Sequence, residues 1–155
     1  MLRTSQIPGE RLAAMPPQRK VARVLLADSD PASRLTLTTL LSTAGYAVDC
    51  AATSSEAMTH LDSDEYQLVL ADLRTESEES GARLLAYARQ KEFRPATALL
   101  SSKFVDHGDP GSGRLEADSL VRMSDENVSF LLVRVAELIS ERADRRMRRI
   151  LSRAS

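Results

Sequence analysis

Short aliphatic runs alternate with amphipathic stretches about five times between residues 21 and 140, and few architectures accommodate that rhythm. Val21–Ala27 (VARVLLA) has the composition of a buried strand. Asp30 and Pro31 then open a helix, the aspartate as N-cap and the proline at the first helical position, where its missing N–H costs nothing. This helix is expected to run to about Ala44, with Leu37, Leu40, Leu41 and Ala44 on one face, and Gly45 to stop it. Ala47–Ala52 is the second strand. Thr53 and Glu56 form a capping box for a helix carrying Ala57, Met58 and Leu61. Gln67–Ala71 is the third strand and ends at Asp72. A third helix is expected from Gly81 to about Glu92, with Leu84, Leu85 and Ala88 facing inward. Pro95 precedes a fourth strand, Ala96–Leu100, and Leu120–Arg122 belongs to a short fifth one. A last helix begins near Asp125 or Glu126, and its stripe is Val128, Leu131, Leu132, Val135, Leu138 and Ile139.

A chain so patterned makes a doubly wound α/β domain, because each right-handed crossover returns over a parallel sheet and covers one face of it. The expected strand order is 2-1-3-4-5. Three prolines and a glycine without clean periodicity mark residues 1–20 as a flexible tail. The domain itself spans 21–140. Residues 103–116 (KFVDHGDPGSGRLE) interrupt the pattern with three glycines and a proline, so the helix due between the fourth and fifth strands is shortened or missing. The last helix is extended, running to about Arg149, or roughly 36 Å. Its part within residues 141–155 is basic, with Ala143, Met147, Ile150 and Leu151 continuing the apolar spacing among Arg142, Arg145, Arg146, Arg148, Arg149 and Arg153. That pattern suits either a solvated helix end or a helix that binds a partner or a second copy.

Composition excludes several classes. The 155 residues carry a formal net charge of −1, so no global field draws the chain to nucleic acid or a membrane. The single cysteine, Cys50, permits no intramolecular disulfide and reads as a buried thiol. With no transmembrane-length apolar run and no signal-peptide core, the expected setting is cytoplasmic. His60 and His107 lack partners at ligand spacing, which argues against zinc.

In parallel α/β sheets, chemistry gathers at the carboxyl ends of the strands. The first strand ends in Asp28, Ser29 and Asp30, the third in Asp72, the fourth in Ser101 and Ser102, and the fifth in Arg122. With strands one and three adjacent, Asp28 and Asp72 share one pocket. Two close carboxylates repel and favour a divalent cation between them, and oxygen donors in an open geometry suit magnesium.

At this point residues 21–140 resemble the receiver domains of response regulators. In that family an acidic pair follows the first strand, as ADSDP does here. A phosphoacceptor aspartate ends the third, as in LVLADLR, a Ser or Thr ends the fourth, and a lysine followed by proline ends the fifth. The resemblance implies that Asp72 is the phosphoacceptor. It also implies that Asp28, Asp72 and the backbone carbonyl of Arg74 hold Mg2+, and that Ser101 and Arg122 contact the phosphoryl group. A sensor histidine kinase or phosphotransfer protein is the implied donor. No second domain is expected beyond the last helix, so output is expected through a downstream protein partner, with a homodimer through the C-terminal helix as one form.

The departures from the family pattern are specific. Ser29 replaces a direct carboxylate ligand, so magnesium binding is expected to be weak, and Asp30 does not repair this because a capping side chain faces backbone N–H groups. Arg122 replaces the lysine, and a planar fork is not a point ammonium. Met123 replaces the proline, and Ser119 stands about where an aromatic switch residue belongs. The loop LRTESEES lacks the usual proline and holds three glutamates. These departures make the chain an atypical receiver, and they motivate an alternative, a receiver-like interaction module that works without phosphate. A flavodoxin-like cofactor binder is a remote third reading, since the carboxylates after the first strand would repel a flavin phosphate. The receiver reading is not an enzyme, the remote third one alone admits a small enzyme, and no Ser-His-Asp arrangement can be assembled.

Overall fold

The computed structural model describes residues 21–72, 77, 79–101, 119–122 and 128–154. Five strands lie among them, β1 (Arg23–Asp28), β2 (Ala47–Ala51), β3 (Leu68–Asp72), β4 (Ala96–Ser101) and β5 (Ser119–Arg122). Four helices accompany them, α1 (Pro31–Thr43), α2 (Ser54–Ser63), α3 (Ser80–Arg89) and α4 (Val128–Ala154). All strand pairs are parallel, in the order β2-β1-β3-β4-β5, as the alternation requires. The expected tail at 1–20 and the loop at 103–116 lie outside the described residues.

Successive side chains of a strand point to opposite faces, and here the two faces carry two separate cores. Val24 and Leu26 of β1, Leu68 and Leu70 of β3, and Ala96, Ala98 and Leu100 of β4 pack against Leu37 and Leu41 of α1 and Leu131, Val135 and Leu138 of α4. The alternate residues Leu25, Ala27, Val69 and Ala71 meet Ala57 and Leu61 of α2 and Leu84, Leu85 and Ala88 of α3. Burial on both faces explains why the strands read as continuous apolar runs.

Local signals set the helix ends. The Asp30 side chain accepts from the Ser33 amide at 3.4 Å, with Pro31 just inside. At the other end of α1, Gly45 takes φ +102°, its N–H bonds the Ser42 carbonyl and that of Tyr46 bonds the Leu41 carbonyl, a complete left-handed stop. Thr53 caps α2 by accepting from the Glu56 amide. Glu56 returns the bond one residue before the cap, accepting from the Ala52 amide at 2.9 Å.

Some expectations need correction. Ala44 is the exposed C-cap of α1 rather than a core residue. The Cys50 thiol is only half-buried and lies 2.8 Å from the Thr38 hydroxyl. Helix α4 continues past Arg149 to Ala154, because its last turns are mostly good helix formers and contain no glycine or proline. Arg142 is not part of a solvated end. It is 7% exposed, and its guanidinium donates to the carbonyls of Phe93 at 2.5 Å and Arg94 at 3.1 Å.

The Arg142 contacts fasten α4 to the turn before β4. Charge-assisted hydrogen bonds contribute about 1.5–3 kcal/mol, and unpaired buried carbonyls cost a comparable amount. Arg142→Ala is expected to lower stability by about 3 kcal/mol in urea unfolding. Arg142→Lys should recover only part of that, since one ammonium does not reproduce the planar fork. A wild-type midpoint in the alanine variant would show that the clamp carries no stability.

Candidate functional site

β1 and β3 pair residue for residue to their last members, which sets Asp28 directly opposite Asp72. The two-sided core up to Ala27 and Ala71 places both carboxylates at the first level where the sheet stops being apolar. Asp28 is 1% exposed; Asp72 is half-buried. One oxygen of Asp28, Oδ1, accepts from the Asp30 amide at 2.9 Å. The other, Oδ2, is buried with no hydrogen-bond partner. Burial raises the Asp28 pKa above the ordinary carboxylate value; the Ser33 side chain and the Asp30 amide oppose this, and the negative charges of Asp72 and Asp30 add to it.

The segment after β1 is tied across to β3. The Ser29 amide donates to the Asp72 carbonyl at 3.1 Å, and its hydroxyl lies 3.5 Å from the same oxygen. Asp30 faces the α1 amides, as expected of a cap. Arg34, on the first turns of α1, donates to the Asp28 carbonyl at 2.7 Å. That contact was not anticipated from the pattern; the available signal was a cation four residues after the cap, on the turn that overhangs the strand end.

The other expected site residues occupy the same carboxyl edge on neighbouring strands. Ser101 and Arg122 are register partners of β4 and β5. The last β3–β4 pair is Ala71 with Leu99, so Ser101 stands two residues past that level and Asp72 one. The backbone carbonyl of Arg74 and Met123 lie outside the described residues. The backbone therefore brings Asp28 and Asp72 together as one pair and Ser101 and Arg122 as another, along one edge.

No protein-family model matches the sequence, and no curated protein matches it either. Solved structures do. The response regulator TrrA of Thermotoga maritima, determined in complex with Mg2+ and BeF, is 28% identical, with a TM-score of 0.64 over 76% of this chain and 99% of that one. In a structure of TrrA bound to the histidine kinase ThkA, the matching chain is 29% identical, with a TM-score of 0.63 over 76% and 98%. A CheY-like receiver domain from Methanospirillum hungatei is 21% identical, with a TM-score of 0.66 over 81% and 99%. The chain has the CheY-like receiver-domain fold of the response regulators.

The residues present suit a hard divalent cation in part. The unpartnered Oδ2 of Asp28 and the facing Asp72 supply the oxygen donors and negative charge that such an ion takes. Ser29 adds only a neutral oxygen, already engaged with the Asp72 backbone. Among the described residues no group of three or more acidic, His or Cys side chains is placed to hold a metal.

The folded state holds the Asp28 proton more tightly than the unfolded chain does. Ionisation of Asp28 therefore costs stability as the pH rises through its folded-state pKa. Asp28→Asn is expected to raise stability at pH 7 by about 1 kcal/mol in urea unfolding. The gain should fade as the pH falls through the raised folded-state pKa and be gone below about 4, where the wild-type carboxyl is protonated in both states. An unchanged or lowered midpoint at pH 7 would show that Asp28 is not a strained charge.

Proposed function

We propose that the protein is a receiver module of two-component signalling and that Asp72 is its phosphoacceptor. The observation supporting this most directly is the Asp28–Asp72 pairing at the carboxyl edge, with one Asp28 oxygen buried and unsatisfied, in a chain with the receiver fold. In the proposed step, a carboxylate oxygen of Asp72 attacks the phosphorus of a phosphohistidine. The P–N bond breaks, the imidazole leaves and is protonated, and an acyl phosphate forms on Asp72. Ser101 would hydrogen-bond a transferred oxygen, and Arg122 would neutralise another. Bound magnesium supplies electrostatic stabilisation of the phosphoryl oxygens; Asp28, Asp72 and the Arg74 carbonyl are the residues assigned to hold it. A sensor histidine kinase or phosphotransfer protein, as donor in the cytoplasm, and a downstream protein are the proposed partners. Among the described residues no helix is long and apolar enough to cross a membrane.

A second reading is favoured by one observation. Ser29 stands where a carboxylate ligand belongs, and both its amide and its hydroxyl approach the Asp72 carbonyl. A neutral residue at that position suits a module that binds partners, or a second copy through α4, whatever the state of Asp72.

Two measurements separate the readings. Incubation with acetyl phosphate and magnesium should add one phosphoryl group by intact-mass spectrometry, and Asp72→Asn should abolish the addition. If neither acetyl phosphate nor a cognate kinase modifies Asp72, the phosphoacceptor role fails and the interaction module stands. Separately, Ser29→Asp should tighten magnesium binding on the order of tenfold in calorimetry. An unchanged affinity would sink the assignment of residue 29 as the weak point of the site.

A further inference from the structure

A second polar site lies at the opposite end of the sheet from the acidic pair. There the last turns of α4 pass the turns that precede β3 and β4 and enclose a groove of about 440 Å3. Arg94, Arg146, Arg149 and Arg153 line it, together with Glu65 and Glu92. The 146, 149 and 153 spacing sets three guanidiniums along one stripe of the helix, and Arg94 faces them from a separate element. Four cations against two carboxylates leave an excess of positive charge in a chain whose net charge is −1.

Complementing the negative end of a helix explains arginines in its last turn. It does not explain Arg94, nor the way Arg94 is held. Arg94 takes the left-handed φ of +40°, a conformation that costs a non-glycine residue free energy. Its backbone is fixed on both sides, with its N–H on the Lys91 carbonyl at 2.9 Å and its carbonyl receiving Arg142 at 3.1 Å. Among the described residues no ion pair joins Arg94, Arg146, Arg149 or Arg153 to a carboxylate. Arg149 sits below its ordinary pKa, through desolvation and through the like charges of Arg94, Arg145, Arg146 and Arg153. Mutually repelling cations that outnumber the two carboxylates beside them, and form no ion pair with either, are stabilised by an anion.

We propose that this groove binds a small molecule carrying two or more phosphate groups. The volume falls in the range of small-molecule sites. Guanidinium forks match phosphate oxygens two at a time, and a monoanion would leave half of the groove's excess positive charge uncompensated. The site is separate from Asp28 and Asp72, so it does not depend on their assigned roles.

Calorimetry on the full chain at about 0.15 M salt tests the proposal, with inorganic tripolyphosphate, ATP and a decaglutamate peptide as probes. The variants are the double Arg146→Gln, Arg149→Gln and, as a control for the loss of a nearby charge, Arg148→Gln, which lies on the same helix but does not line the groove. Tripolyphosphate and ATP should both bind the wild type, roughly tenfold or more weakly the double variant, and with full affinity the control. A urea midpoint in the double variant equal to that of the control confirms that the loss is not unfolding. Tighter binding of ATP would assign a nucleotide, and equal binding would assign the phosphate chain alone; either supports the site. Absence of binding by both phosphate compounds, or an equal loss in Arg148→Gln, would overturn it. Decaglutamate bound more tightly than either would also overturn it, in favour of an acidic protein segment.

Discussion

The parallel pairing of β1 with β3, packed over on both faces, governs the rest of this molecule. Because α1 and α4 cover one face and α2 and α3 the other, every residue from Val24 to Ala27 and from Leu68 to Ala71 is committed to a core. Polar chemistry is left to the strand ends. The register then decides which polar groups meet, and here it sets Asp28 against Asp72. A one-residue slip would turn every core side chain to the wrong face, so the carboxylate pair is as firmly specified as the core beneath it. The Ser29 amide bond to the Asp72 carbonyl and the Arg34 bond to that of Asp28 lock the edge further.

The two ends of the sheet solve the problem of buried charge differently. At the carboxyl edge, Asp28 retains an unsatisfied oxygen. At the opposite end the polar groups near β1 and β3 are paired. The Tyr66 hydroxyl donates to Asp49 at 2.6 Å, and Arg23 reaches Asp49 at 2.9 Å and Asp64 at 3.3 Å. The Tyr66 hydroxyl and the Arg23 guanidinium hold the Asp49 carboxyl below the usual carboxylate range. The same hydroxyl goes the other way, since burial and the Asp49 carboxylate push its pKa up. The carboxyl edge is thus left electrostatically poised, while the group of Tyr66, Asp49, Arg23 and Asp64 is satisfied and structural.

Much of this was legible in the amino-acid sequence, for identifiable reasons. Strand and helix positions were readable because both cores are continuous aliphatic runs, and because Asp30, Pro31, Gly45 and Thr53 punctuate them with groups that have little other use. The positions of Asp28 and Asp72 followed from strand ends, since parallel topology brings the ends to one edge. What escaped was everything set by contacts distant along the chain. Arg142 looked like one more solvated arginine, because its partners are carbonyls almost fifty residues away, and a carbonyl leaves no mark on residue type. Arg94 was silent for a similar reason, its significance lying in a backbone twist and in a helix that arrives late in the chain. The end of α4 was read short because a helix without a stop signal ends where packing or fraying decides.

Helix α4 contains 27 residues, a rod of about 40 Å, and neither glycine nor proline interrupts it. Its first half is embedded in the core through Leu131, Val135 and Leu138, and Arg142 bolts it to the sheet just before it emerges. The remaining half runs past the turns before β3 and β4 with Met147, Ile150 and Leu151 exposed, and is thereby a cantilever rather than a tether. A flexible linker would let domain and partner tumble independently; a cantilever makes them turn together. Whatever grips those last turns also fixes the direction in which the carboxyl edge faces, so the geometry of any assembly is written into the angle at which one arginine holds one helix.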